Sequence, residues 1–408
     1  MRLKKYFLCA IIMLFATFAL VACGGDEPDT PVEPGTPNTP VEPDKPDQPE
    51  QPKHEHTACP ECGKCTDPEC DGRSSEKCKG HTSVTPDPDK PVEPEKPTDS
   101  PEYIKYIDDL KEIVNVERGK IFERYGDFTD ELENYLYYGE YPGREVTNKE
   151  LTDKLSLIEE TNEFGYIELE GLYFVKVVIE NTYDSLEIGN TEFENSTKYK
   201  IGTTHFFLVE PILWRVLTYN PNTNQAFLVS NNIIEAKIFV DEVNNRFIDG
   251  RVIYPSNYEY SDIRKWCNDV FYNQAFNNDE RKNIQLSTIS NKFKTYNYEY
   301  NDDRDTEDYV FIPSFKELTT SVYGFENTGI SSYSRFSSPS NYASAKGVYT
   351  SSLEDGIPDS GLYLIRGGAE FLKSYIYFVK FDGYALSPYY VNSPSTGVRL
   401  CVKVTIEN

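Results

Sequence analysis

Apolar and polar residues are distributed very unevenly along this chain. An uncharged apolar run, residues 7–21, follows a basic N-terminus, and residues 26–100 then contain too few apolar residues to build a core. Apolar residues return at helical spacing from Ile104, and beyond about residue 128 they form short alternating or continuous runs. The pattern therefore predicts an N-terminal signal, a long polar stretch, one helix and a folded body.

The region 102–126 is predicted to be a linker helix. Ser100 is suited to cap it and Pro101 to occupy its first position. Six apolar residues follow at roughly helical spacing: Ile104, Ile107, Leu110, Val114, Ile121 and Phe122. We expect one helix over about 101–124, weakened at Gly119, and packing on the body is favoured over self-association.

The body, residues 128–408, mixes strand patterns with a helix pattern. Strands are predicted at 166–169, 172–180, 205–209, 213–219 and 226–230. Residues 262–276 carry an apolar helix face of Ile263, Trp266, Cys267, Val270 and Phe271. Residues 397–407 alternate as a last strand, which places Arg399 and Cys401 on the face opposite Val398. This order without a βαβ rhythm predicts a mixed α+β fold.

The polar stretch contains two Pro-rich spacers. In the stalk, residues 23–53, prolines occupy every third position from 28 to 52, which matches the three residues per turn of polyproline II. At about 3.1 Å per residue this stalk would span about 75–85 Å. The linker at 82–101 repeats the same period. A spacer is favoured over a Pro-rich recognition ligand, since no partner domain is apparent.

A Cys/His-rich knot, residues 54–81, separates the two spacers. Its candidate ligands are Cys59, Cys62, Cys65, Cys70, Cys78, His56 and His81. The Cys-x-x-Cys spacings suit a tetrahedral Zn²⁺ site, so structural zinc is one interpretation. Disulfides are the other, because an exported compartment permits them, although five cysteines leave one unpaired. A mixture of the two, or a redox role, is the third interpretation, and all three stay open.

The end of the apolar run resembles the bacterial lipoprotein signal. Leu20-Val21-Ala22-Cys23 is followed by Gly24 and Gly25, and the run is shorter than the roughly 20 apolar residues of a membrane span. The resemblance implies that residues 1–22 are removed and that the Cys23 thiol is lipidated. The protein would then be anchored in the bacterial cell envelope, facing outside the cytoplasm.

The net charge of the chain disfavours some classes of binding partner. The 41 Lys and Arg residues against 67 Asp and Glu residues give a formal net charge of −26. Such a charge argues against nucleic acid and against adhesion to anionic lipid through basic patches. The membrane is therefore expected to be a partner only through the lipid on Cys23.

Several blocks of the body resemble one bacterial family, the domain of unknown function 6273. They are Tyr138–Pro142, Glu210–Leu217, Ile263–Phe276, Asp308–Ser314, a loose form at Leu364–Arg366, and Gly397–Arg399. The resemblance implies a C-type-lectin-like body, distantly similar to the formylglycine-generating enzymes, and it brings no established activity. Cys267 departs from the family, which more often has Leu.

The body offers few groups for catalysis. His205 is expected to be packed or hydrogen-bonded, and Cys267 to behave as a small hydrophobe. A disulfide between Cys267 and Cys401 is left open. Four aspartates in the loop 302–308 could hold Ca²⁺, but a solvated acidic loop is favoured. We recognise no catalytic constellation, so the sequence leans against an enzyme.

The expected recognition surface is the stretch 331–349, which is rich in Ser, Tyr, Asn and Gly. Trp214 and Trp266 are expected to be core anchors rather than a sugar platform. The layout predicts a lipid-anchored cell-surface protein that displays a binding or adhesion domain, with a glycan or envelope polymer as ligand. The alternative is a tethered hydrolase acting on envelope polymer or captured nutrient.

Replacing Cys23 by alanine tests the anchor. Without a thiol to lipidate, Cys23→Ala is expected to release the protein to the medium or to leave it as an unprocessed precursor. Fractionation of cells with immunoblotting against the body measures this. A variant that stays membrane-bound and correctly processed would contradict the lipoprotein assignment.

Overall fold

A computed structural model describes the chain from residue 99 onward with internal gaps. The described ranges are 99–180, 186–188, 191–193, 199–294, 299–300, 304–350, 359–369, 372–394 and 396–406. The predicted signal, spacers and Cys/His-rich knot lie outside them. Within these ranges no helix is both long and apolar enough to cross a membrane.

Helices are few and mostly short in the described ranges. The α-helices are α1 Pro101–Val114, α2 Lys149–Ser156, α3 Asp262–Lys265, α4 Tyr272–Ala275, α5 Asn278–Asn283 and α6 Asn341–Ala345. A π-helical segment, Trp266–Phe271, joins α3 to α4. Single 3-10 turns lie at Glu317–Thr319, Ser321–Tyr323 and Tyr333–Arg335.

Strands dominate the body. The first eleven are β1 Phe122–Tyr125, β2 Leu132–Glu145, β3 Tyr166–Leu169, β4 Leu172–Val178, β5 Leu186–Ile188, β6 Thr191–Phe193, β7 Thr204–Asn220, β8 Gln225–Ser230, β9 Glu235–Ala236, β10 Arg246–Ile248 and β11 Arg251–Ile253. The others are β12 Ser287–Ile289, β13 Phe293–Lys294, β14 Glu299–Tyr300, β15 Thr306–Asp308, β16 Val310–Phe311, β17 Tyr363–Ala369, β18 Leu372–Val379, β19 Ser387–Tyr390, β20 Gly397–Val398 and β21 Cys401–Thr405.

Two larger sheets contain most of these strands. One runs β1-β2-β7-β8-β21-β16, with β4 also paired to β7 and β3 to β4. The other runs β19-β18-β17-β20-β9, in which β17 and β20 are parallel. The expected α+β class is confirmed, since strands and helices alternate without βαβ units. Two of the predicted strands are the halves of one long strand, β7.

The predicted linker helix is only half correct. α1 begins as expected, with the Ser100 side chain accepting from Tyr103 N and Pro101 at the first position. It ends at Val114, and Gly119 then adopts a left-handed φ of 74°. Residues 122–125 form β1 against β2 instead of continuing the helix. The turn at Gly119 reverses the chain, which the apolar spacing did not reveal.

α1 packs on the body, as expected. Tyr103, Ile107 and Leu110 are buried with residues of α2, β3, β4 and β7 in a cluster of its own. The main core is larger and combines residues from both large sheets. Trp214 of β7 is fully buried there, and its indole N–H donates to Tyr138 O at 2.7 Å. Trp214 is therefore a core anchor, whereas Trp266 is only partly buried against the same core.

The predicted helix 262–276 contains the π-helical segment. Ile263, Cys267 and Phe271 are buried as expected, but Val270 is 49% exposed. A π-turn is wider than an α-turn, so it turns Val270 away from the face on which α-helical spacing would place it.

The predicted last strand is interrupted. β20 ends at Val398 and β21 begins at Cys401, each in a different sheet. Arg399 and Cys401 were expected on the face opposite Val398, yet all three are buried. Packing therefore covers both faces of this segment, so the alternation did not separate an outer face from an inner one.

Two of the family-like blocks are held together by polar side chains. Arg264 Nε donates to Asp308 Oδ1 at 2.7 Å, and Asp308 is fully buried. The Asn268 amide nitrogen also donates to Asp308 Oδ1, and its oxygen accepts from Tyr309 N. Thr306 Oγ1 supplies a further donor to Asp308. These residues fix the helix against β15 and β16, so their role is structural.

Removing the buried carboxylate tests this role. Asp308→Ala leaves Arg264, Asn268 and Thr306 without their shared acceptor, so the free energy of unfolding is expected to fall by about 3–5 kcal/mol. Urea denaturation measures the change. Asp305→Ala, at an exposed position three residues earlier, is the control and should change stability by less than about 0.5 kcal/mol. Equal effects would contradict the proposed network.

Candidate functional site

The strongest candidate site is a cleft of about 590 Å³ on the body, here called the cationic cleft. Residues of segments 288–292 and 314–323 line it, together with Arg366 from β17 and Lys403 from β21. It therefore draws on both large sheets and on the irregular chain that follows β16. Phe315 and Tyr323 give it an aromatic wall.

Arg366 and Glu317 form the inner ion pair of this cleft. Arg366 Nη2 lies 3.1 Å from both carboxylate oxygens of Glu317, and Nη1 donates to Ile312 O at 2.8 Å. Glu317 also accepts from Ser314 N and from Ser314 Oγ. Arg366 is only 3% exposed, and its Nε has no partner among the described residues. One buried donor at this wall is therefore unused.

Three lysines, Lys292, Lys316 and Lys403, complete the positive charge of the cleft. None of them is ion-paired with a carboxylate in the part of the chain that the structure describes. Lys403 lies 5.7 Å from the centre of the Phe227 ring, a cation–π contact. With Arg366, four cationic side chains face the single carboxylate of Glu317, in a chain whose net charge is −26.

Hydroxyl groups fill the space between the charges, and most are already donors to the protein. Thr288 Oγ1 donates to Glu307, Thr319 Oγ1 to Phe315 O, and Thr320 Oγ1 to Lys316 O. Each hydroxyl oxygen keeps lone pairs that can accept. The Tyr323 hydroxyl is held protonated, since burial, and then the nearby Glu317 carboxylate, raise its pKa.

A second cleft, of about 500 Å³, lies between the end of α1 and the strands β2 and β7, and is here called the Glu210 cleft. The Glu210 side chain is 21% exposed, and Arg144 Nε contacts its Oε2 at 3.3 Å. Burial raises the pKa of Glu210, and Arg144 opposes this only in part. A Cβ on Gly143 would overlap the Glu210 carboxylate in its present position, so a larger residue there would require this side chain to shift.

His205 is hydrogen-bonded, as expected, and it forms a Thr–His–Glu arrangement. Its Nδ1 lies 2.7 Å from Glu145 Oε1, and its Nε2 lies 2.9 Å from Thr203 Oγ1. The Thr203 hydroxyl, however, donates its one proton to Lys200 O at 2.6 Å. With that proton directed at Lys200 O, the hydroxyl is not positioned to pass it to Nε2 in this arrangement.

The two body cysteines are buried free thiols, so the disulfide that the sequence left open is not formed. Burial raises the pKa of both Cys267 and Cys401 well above the ordinary thiol value. Because a thiolate is the reactive form, neither is placed to act as a nucleophile.

The structure describes two regions that the sequence analysis considered for ligand binding, the stretch 331–349 and part of the loop 302–308. The stretch 331–349 is largely interior, with Arg335, Ala343 and Val348 fully buried, so it is wrong as an exposed recognition surface. Of the loop 302–308, Asp302 and Asp303 lie outside the described residues, and Asp308 binds Arg264. No group of three or more metal-ligating side chains occurs in the described ranges. Cys23 and the ligands of the Cys/His-rich knot lie outside those ranges.

One comparison with known proteins gave a match. Residues 223–405 match the model of one family, described as domain of unknown function DUF6273. Over this range, which is less than half of the chain, the body is similar to that family, and the range contains every lining residue of the cationic cleft and the blocks from Ile263 onward. The blocks at 138–142 and 210–217 precede the matched range. The distant likeness to C-type lectins stays a prediction.

Two further comparisons gave no match. No curated protein and no solved structure resembles the chain significantly.

Sequence reasoning missed the residues that define both clefts. Arg366 lies in a block that the family resemblance singled out, so a signal existed for it. Lys292, Lys316 and Lys403 are far apart in the chain and follow no motif. Only the folding of β12, β17 and β21 together brings them to one cleft.

Glu210 gives the body a measurable pH dependence. Its pKa is higher in the folded than in the unfolded chain, so its contribution to stability is present at low pH and is lost as pH rises through the carboxyl range. Glu210→Gln stays neutral, so its melting temperature relative to the native chain should rise between about pH 4 and pH 7. Thermal melts across pH test this, with the same substitution at exposed Glu168 as control. A constant difference would contradict the burial argument.

Proposed function

We propose that the protein is a lipid-anchored bacterial surface protein that displays its body as a ligand-binding domain, with the cationic cleft as the binding site. The proposed ligand is a glycan or an envelope polymer. The observation that carries the proposal is the cleft itself, in which lysines and a buried arginine N–H remain unpaired among the described residues. A buried N–H without a partner is costly until an acceptor meets it, and the lysines are cations that can form charge-assisted hydrogen bonds with a ligand.

The N-terminal layout supports display at a surface. The lipobox-like segment ending at Cys23 would supply the anchor, and two acyl chains suffice for stable attachment. The period-three prolines of residues 28–52 would then hold the body away from the membrane. A body held away from the surface is suited to a ligand that does not diffuse to it, such as a polymer.

The polar groups of the body favour binding over catalysis. The Thr203 hydroxyl donates to a backbone carbonyl, so the Thr–His–Glu arrangement lacks an activated nucleophile. The Cys267 and Cys401 thiols are protonated and buried. The cationic cleft presents donors and acceptors that suit a polar ligand without a bond-making step.

The Glu210 cleft favours the second candidate function, a tethered hydrolase. A partly buried carboxyl with a raised pKa in a 500 Å³ cleft is suited to act as a general acid. Glycoside hydrolysis needs a second carboxylate across the substrate, and Asp109 and Glu112 of α1 are the nearby acids that line the cleft. The substrate class would again be envelope polymer.

Blocking the cationic cleft tests the proposed binding function. Ser290 is exposed and lines this cleft, so Ser290→Trp is expected to fill part of it and to lower affinity for purified envelope polysaccharide by about tenfold or more, equivalent to about 1.4 kcal/mol. Retention of the full-length chain on immobilised polymer measures this. Ser156→Trp, at an exposed position of α2, is the matched control.

Two results would contradict the proposal. Equal retention of the native chain and Ser290→Trp would show that the cationic cleft is not the binding site. Hydrolysis of the polymer by the native chain, lost in Glu210→Gln and kept in Ser290→Trp, would establish the hydrolase instead.

A further inference from the structure

We propose that the ligand of the cationic cleft is an acidic polysaccharide, a polymer of sugars that carry carboxylate or sulfate groups. This inference rests on the proposed binding function and specifies its ligand class. The cleft combines three features that separately recognise the acid group, the sugar hydroxyls and the sugar ring.

The positive charge of the lining residues indicates that the ligand carries an acid group. Lys292 and Lys316 are exposed and Lys403 is half-buried, and all three line the same cleft. Among the described residues none of the three pairs with a carboxylate, and Glu317, the one carboxylate of the lining, already binds Arg366. A neutral ligand would leave them unmatched, whereas an anionic one forms charge-assisted hydrogen bonds with them.

The unused Arg366 Nε is a second, independent observation. Arg366 is only 3% exposed, and its other nitrogens bind Ile312 O and the Glu317 carboxylate. A buried N–H without a partner costs free energy until an acceptor reaches it. An anionic oxygen at the inner wall of the cleft would satisfy this donor.

The hydroxyl groups indicate a sugar rather than an inorganic anion. The Thr288, Thr319 and Thr320 hydroxyls donate to protein oxygens, so toward the cleft they act as acceptors. An anion without protons cannot donate to such oxygens and would be repelled by them. Sugar hydroxyls donate, so a ligand with both acid groups and hydroxyls matches the lysines and the threonines together.

The aromatic wall suits the faces of sugar rings. Phe315 and Tyr323 line the cleft beside the lysines. The Tyr323 ring is fixed edge-on against Phe227, with centroids 5.4 Å apart. Fixed aromatic surface of this kind covers apolar C–H faces of a ligand without ordering a mobile side chain. The cleft is open, so a chain of sugars could extend beyond it.

Immobilised polymers separate these features in one assay with the full-length chain. Polygalacturonate offers carboxylated sugars, chondroitin sulfate adds sulfated sugars, dextran is a neutral polysaccharide, and polyglutamate is a polyanion without sugar. We expect retention on one or both acidic polysaccharides, little retention on dextran or polyglutamate, and weaker retention as salt rises, since exposed charges are screened. Chondroitin sulfate carries carboxylates as well as sulfates, so stronger retention on it than on polygalacturonate would show that sulfate adds to binding.

Replacing the three lysines tests whether the acidic polymer binds at the cationic cleft. The triple variant Lys292→Gln, Lys316→Gln, Lys403→Gln is expected to lose about three- to tenfold in affinity per lysine, as charge-assisted hydrogen bonds are lost. The control with the same change in net charge is Lys105→Gln, Lys149→Gln, Lys346→Gln, all at exposed positions. It should bind as the native chain does. Circular dichroism checks that both variants are folded.

Three results would overturn the inference. Equal binding to dextran would show that the acid group is not needed. Equal binding to polyglutamate would show that the sugar is not needed. Unchanged binding by the triple lysine variant would show that the ligand binds outside the cationic cleft. If Ser290→Trp abolishes binding to a neutral polymer while the lysine variant keeps it, the acidic ligand is wrong and the binding function remains. If the native chain binds no polymer of either kind, both proposals fail.

Discussion

Two buried arginines hold the irregular chain between β16 and β17, and the cationic cleft depends on them. Arg335 is fully buried, and its guanidinium donates to four backbone carbonyls, those of Leu318, Glu326, Ile330 and Gly383. Arg215 of β7 reaches the carbonyls of Tyr323, Gly324 and Ser334 and also pairs with Glu133. Buried carbonyls must be paired. In this segment the arginine side chains supply the hydrogen-bond donors that a neighbouring strand supplies in a β-sheet.

This arrangement explains why an irregular segment can form a binding wall. Residues 315–323 contain only two short 3-10 turns, and two of their carbonyls are bound by buried arginines, that of Leu318 by Arg335 and that of Tyr323 by Arg215. A ligand would therefore meet a wall that is already ordered, and affinity would not be reduced by ordering it. Arg366 belongs to the same system, since it binds Ile312 O and Glu317, but it keeps one N–H free of a described partner.

The sequence predicted regular elements better than it predicted the site. Strong apolar patterns located β3, β4, β8 and α1, because burial of one face dictates them. The same patterns failed where both faces are covered, as around Arg399 and Cys401, and where backbone geometry changes, as at Gly119 and the π-helical segment. The polar composition of the stretch 331–349 predicted an exposed surface. Arg335 within it is buried instead, because its guanidinium donates to backbone carbonyls of residues that are distant in sequence and adjacent in the fold. The cleft lysines are distant in sequence and carry no motif.

The strong acidity of the chain gives the cleft its selectivity, if the ligand is an acidic polysaccharide. A net charge of −26 repels polyanions over most of the surface, so association at any other place is disfavoured. At the cationic cleft the positive charges of Lys292, Lys316, Lys403 and Arg366 attract them instead. Repulsion elsewhere discriminates as effectively as attraction at the cleft, because specificity is a difference between two affinities.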